Sequence, residues 1–91
     1  MRYVLTRKLT PEEGAHSRTL PRGSEEWSAY IASLMQVIVD DLTVSFPQVK
    51  IVSVGLFTLL LELPDEHHAQ WSLAIAVHTK RTVSRDVQVR V

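Results

Sequence analysis

Residues 24–46 constrain the fold more than any other stretch of this chain. Ser24 is a helix N-cap residue, and Glu25 and Glu26 follow in the first turn, where the helix dipole favours anions. Trp27, Ile31, Leu34, Ile38 and Leu42 then recur at three- and four-residue steps, and Tyr30, Met35 and Val37 widen the stripe. That period specifies an amphipathic helix of roughly five turns. Phe46-Pro47 stops it, because a residue before proline is pushed out of the α region. One apolar stripe needs one apolar surface to cover it. In 91 residues, with no second stripe as clear, that surface has to be a sheet.

Most of the remaining chain reads as strands. Residues 2–9 alternate, with Tyr3, Leu5 and Leu9 on one face and Arg2, Thr6 and Lys8 on the other. Residues 48–63 are rich in β-branched and large apolar side chains, with Gly55 in the middle, so they form one bulged strand or two strands. Pro64 to Gln70 is a polar turn. Residues 71–79 alternate Trp71, Leu73, Ile75 and Val77 against Ser72, Ala74, Ala76 and His78. Lys80 to Thr82 is a second turn, and residues 83–91 alternate again. Thr10-Pro11-Glu12-Glu13 reads as a capping box with proline at the first helical position. Gly14 weakens any helix there, so residues 10–23 are expected to be a flexible loop with at most one short helical turn. The expectation is one α+β domain over residues 1–91, a two-layer sandwich in the order β-α-β-β-β. Its last three strands form an antiparallel meander, and one main helix packs on one face.

Composition narrows the function classes. Ten Lys and Arg balance ten Asp and Glu, giving a net charge of zero. A strongly basic nucleic-acid binder and a polybasic membrane arm are both excluded on that count. Absence of cysteine removes disulfides, thiolate nucleophiles and cysteine-based zinc sites. The first residues carry Arg2, Arg7 and Lys8 and lack the apolar core of a signal peptide. No run approaches the ~18–20 apolar residues a membrane helix needs. The expectation is a cytoplasmic chain with no membrane partner and no cofactor. Only Gly14, Gly23 and Gly55 occur, so no phosphate-cradling glycine loop can form in its usual shape.

Residues 49–63 are apolar at both parities, and a single helix covers only one sheet face. An uncovered apolar patch on a small domain marks a contact surface. The interface expected on this basis comprises Val54, Leu56, Thr58 and Leu60, beside the small residues Ala74 and Ala76, with Asp40 and Asp41 as a polar rim. The leading reading is therefore a non-enzymatic interaction domain: a homo-oligomer, an adaptor or an inhibitor of a larger complex.

Two other readings rest on other residues. His67 and His68 lie beside Glu62, Asp65 and Glu66, with His78 further on. If residues 56–63 and 71–79 pair as a hairpin, His78 lies about 20 Å from His67, too far for one metal. Leu9-Thr10-Pro11-Glu12-Glu13, Leu20-Pro21, Trp27, His67-His68-Ala69-Gln70-Trp71, His78 and Ser84-Arg85-Asp86 fall in the order of features in pterin-4a-carbinolamine dehydratases, and the chain resembles that family in this respect. The resemblance implies that His67, His68 and His78 act on the hydroxyl of a bicyclic pterin. The family has proline after the histidine pair, where this chain has Ala69, and a helix before it, where this chain reads as a strand. The other reading is a nucleic-acid module using Arg2, Arg7, Lys80, Arg81, Arg85 and Arg90, although Asp86 interrupts that stripe and no aromatics interleave it.

Overall fold

A computed structural model describes the whole chain, Met1–Val91. It is an α+β fold of three helices and a four-stranded antiparallel sheet. The elements run β1 (Arg2–Arg7), α1 (Pro11–Arg18), α2 (Glu25–Ser45), β2 (Lys50–Val54), β3 (Thr58–Glu62), α3 (His68–Thr82) and β4 (Val87–Arg90). Across the sheet the strand order is β2-β3-β1-β4. Each β-α-β crossover therefore spans a strand of the other: β3 lies between β1 and β2, and β1 between β3 and β4. This is the interleaved split arrangement called ferredoxin-like.

The first helices form as the caps dictate. Thr10 accepts from the Glu13 amide while the Glu13 carboxylate accepts from the Thr10 amide, so the capping box is complete and Pro11 stands in the first turn. The result is eight helical residues where a mostly flexible loop was expected. The Ser24 hydroxyl accepts from the Trp27 amide, and α2 runs unbroken to Phe46, whose amide closes the last turn on Leu42. Ile31, Met35, Ile38 and Leu42 are its buried stripe.

Of the two arrangements open for residues 48–63, the structure has two strands. The Gly55 amide donates to the Thr58 carbonyl, and Phe57 takes a left-handed φ of 64° to complete the turn. A Cβ on Gly55 would lie 2.7 Å from Thr58 Oγ1, which accounts for glycine at that position. The bulge lies earlier, at Val52, where pairing jumps from Ile51↔Leu61 to Ser53↔Leu60.

One expectation is corrected: residues 71–79 lie in helix α3 and are not a strand, so the β-β-β meander is absent. Geometry explains why. β3 ends at Glu62 opposite Arg2, while β4 must begin at Val87 opposite Arg7, at the other end of β1. Six residues of strand are about 20 Å long, and fifteen residues of helix return about 22 Å. Trp71, Ile75, Thr79 and Val83 lie four apart and turn toward the sheet; Ile75 and Thr79 are fully buried.

One core joins these elements. Tyr3, Leu5, Leu59, Leu61 and Val87 from the sheet pack with Met35, Ile38 and Leu42 of α2 and Ile75 of α3. Side chains of the opposite parity (Arg2, Val4 and Thr6; Thr58, Leu60 and Glu62) stay outside that core. At about 31 Å, α2 is longer than the strands beneath it. The molecule is correspondingly elongated, 44 × 22 × 22 Å.

Candidate functional site

The sheet face turned away from the core is a ladder of three cross-strand rows. Lys50, Glu62 and Arg2 form a row of alternating sign. Ser53, Leu60, Val4 and Arg90 form the next. Thr58, Thr6 and Gln88 form the third. Leu60 and Val4 are thus direct partners at the centre, with Val52 exposed at the bulge nearby. Cross-strand neighbours of this kind sit ~4.5–5.5 Å apart at Cβ, so they present one continuous apolar strip.

Of the expected interface residues, the structure brings Thr58 and Leu60 together on this face. Val54 leaves it: the bulge pairs it with Leu59, a core-facing residue, and it sits half-exposed at the sheet edge. Leu56 lies in the turn after β2, about half exposed. Ala74 and Ala76 are on α3, not on a strand beside Leu60. Asp40 and Asp41 are on α2, and Asp41 is engaged elsewhere. Val4 and Thr6 are contributed by β1, and the alternation that buries Tyr3 and Leu5 was the signal for them.

The imidazoles go to three different places. His67 precedes α3 in a left-handed conformation, φ 60° and ψ 28°, with no side-chain cap, and reaches only Glu66, 3.6 Å away. His68 turns inward, and its Nδ1 shares a 2.6 Å hydrogen bond with the buried Tyr3 hydroxyl. His78 lies ten residues further along the same helix, about 15 Å by helical rise. Its Nε2 is 2.8 Å from Asp41 Oδ2, with each side chain 29% exposed, and its ring stands edge-on to Phe46. The bond ties α3 to α2. The three rings do not share a pocket, and no three His, Cys, Asp or Glu side chains gather as a metal site. A strand and a turn lead into the histidine pair, which opens a helix; the dehydratase pattern has a helix before it.

No protein-family model, curated protein or solved structure matches this chain. No helix is long and apolar enough to cross a membrane.

The basic residues also separate. Arg2 and Arg90 belong to the rows of the uncovered face, whereas Arg7, Lys80 and Arg85 line a cleft at the end of the sheet, with Lys8 beside them. The Arg7 side chain is 1% exposed and pairs with Glu13, whose side chain is 21% exposed. Its Nε donates to the Lys8 carbonyl at 3.4 Å. At the far end of the sheet the N-terminal ammonium donates to Asp65 at 2.8 Å. That hydrogen bond, with the ammonium charge behind it, holds the Asp65 carboxyl below its usual range.

Proposed function

We propose that this chain is a small protein-interaction domain whose uncovered sheet face meets a second copy of itself. The observation that carries the reading is the Val4–Leu60 pair at the centre of that face, ringed by Thr6, Thr58, Ser53 and charged side chains. An apolar centre with a polar rim is the anatomy of a contact surface. The row Lys50–Glu62–Arg2 carries both signs, so a copy turned about a two-fold axis can set its Glu62 against Lys50 or Arg2 of the first. Zero net charge leaves no long-range repulsion to oppose the approach.

Size sets the strength. Four strands about 4.8 Å apart and about 17 Å long give roughly 300 Å² per copy in projection. Twice that falls short of the ~1,200 Å² of standard stable interfaces, so the association is reversible and concentration-dependent. The test is light scattering on a sizing column over a dilution series. The mass should rise with concentration, and Leu60→Asp should abolish the rise while far-UV circular dichroism stays unchanged. A concentration-independent monomer mass overturns the reading. If Leu60→Asp unfolds the chain, Val4→Lys on the neighbouring strand decides: an unchanged dimer with that substitution also overturns it.

A further inference from the structure

We infer that the cleft at the C-terminal end of β1 is a binding site for a small phosphomonoester. This cleft, about 540 Å³, is bounded by the end of β1, the turn between β2 and β3, the last turns of α3 and the residues that lead into β4. Four cations line it: Arg7, Lys8, Lys80 and Arg85, against one carboxylate, Asp86. With Arg7 paired to Glu13, the lining keeps Lys8, Lys80 and Arg85 against Asp86, a local positive excess that favours an anionic ligand.

Three of the four cations have no protein partner. The ion pairs of the chain are Met1–Asp65, Arg7–Glu13, His67–Glu66 and His78–Asp41, so Lys8, Lys80 and Arg85 have no carboxylate within 4.0 Å. Arg7 differs in kind. It is almost wholly buried, and its guanidinium is fixed by Glu13 at Nη2 and by the Lys8 carbonyl at Nε, while Nη1 takes part in neither bond. With its charge met by Glu13, Arg7 fixes the floor of the cleft, and the unpaired Lys8, Lys80 and Arg85 are the groups that would meet a phosphate oxygen.

The backbone makes this floor rigid. The Arg7 amide donates to the Phe57 carbonyl, and the Lys8 amide to the Asp86 carbonyl, each at 3.0 Å. These two bonds tie the turn and the β4 lead-in to β1. Phe57, held in its left-handed conformation, lines the cleft and supplies an apolar wall for the organic part of a ligand. Strained non-glycine backbone of this kind concentrates at binding sites. The volume lies in the ~300–1,000 Å³ range of small-molecule sites. A nucleic-acid strand fits less well, because the adjoining face offers Thr6, Thr58 and Gln88 but no aromatic platform on which bases could stack.

The experiment is an amide chemical-shift titration of the full chain with phenyl phosphate at constant ionic strength. Saturable shifts are expected at Arg7, Lys8, Phe57, Lys80 and Arg85. Lys80 and Arg85 are exposed, so the double substitution Lys80→Gln with Arg85→Gln leaves the fold intact and should weaken phenyl phosphate by about tenfold or more. Shifts that fail to saturate, that sodium chloride reproduces, or that the double variant leaves unchanged overturn the inference. So does tighter binding of a single-stranded oligonucleotide than of phenyl phosphate, which would assign the cations to a polyanion.

Discussion

Replacing Thr79 with valine should stabilise this protein. Thr79 is fully buried on the sheet-facing side of α3, and its hydroxyl has no hydrogen-bond partner. Its carbonyl is used twice, by the Val83 and Ser84 amides, so the backbone here is satisfied and only the side chain is not. A buried hydroxyl without a partner costs about 1–3 kcal/mol. Valine has nearly the same volume, so the exchange opens no cavity and adds a methyl in a dry site. Helix propensities of the two residues are nearly equal, so backbone preference cancels. The net expectation is a gain of about 1–2 kcal/mol. In a domain of this size each kcal/mol moves the melting temperature by about 4–8 °C. Thermal and urea denaturation followed by circular dichroism measure both, and the urea m-value should not change. Thr79→Ser is the control: it keeps the hydroxyl, loses the methyl and should destabilise by about 1 kcal/mol. A valine variant equal to or less stable than the parent would refute the reasoning, because the hydroxyl would then have a partner in solution.

Other substitutions probe other parts of the fold. Glu13→Gln strips the buried Arg7 of its counter-charge and weakens the α1 cap, and should cost about 2–4 kcal/mol in urea denaturation. Ala74→Lys lies on an exposed position of α3, and should leave both stability, within about 0.5 kcal/mol, and the concentration dependence of the mass unchanged. A strand position beside Leu60 would not tolerate it. Asp65 has a lowered pKa, so its bond to the N-terminal ammonium is intact above the ordinary carboxylate range and is lost as pH falls through that lowered value. The Asp65 side chain is 97% exposed, so a carboxyl-detected pH titration should show the shift clearly while stability barely responds, and acetylating the N-terminus should return it to normal.

How much of this was legible depended on whether local pattern and tertiary demand agreed. In α2 they agree: the Ser24 cap, the stripe Ile31, Met35, Ile38 and Leu42 and the stop at Phe46 are where the sequence puts them, except that Val37, read as part of the stripe, is exposed and Val39 packs on the core in its stead. In β1 they agree as well, since Tyr3 and Leu5 are buried as their parity requires. In α3 two periods coexist. Trp71, Leu73, Ile75 and Val77 alternate as a strand would, yet Leu73 is 66% exposed and Val77 also faces solvent. The helical set Trp71, Ile75, Thr79 and Val83 includes a threonine, and that polar member concealed the four-residue repeat. Ala74 and Ala76, on the polar parity of that alternation, lie on α3 and not beside Leu60. The uncovered face is legible in the two-sided apolar run of residues 49–63, but nothing in that run marks the bulge at Val52, which turns Val54 to the parity of core-facing Leu59. The His78–Asp41 bond joins two helices far apart in sequence and leaves no local trace.

The central position of β1 also orders events in time. It is translated before any other strand, yet each of its neighbours comes from the second half of the sequence: Val4 pairs with Leu60 on one side and Arg90 on the other. Until β3 emerges from the ribosome, the buried face of β1 has no strand to pair with, and α2 has no sheet to cover. Closing such distant pairings is slow, because the entropy of the long loop is lost before the contacts form. Folding of this sheet therefore waits on the synthesis of β3 and β4, and the apolar stripe of α2 is the surface that nascent-chain chaperones would meet in the interval.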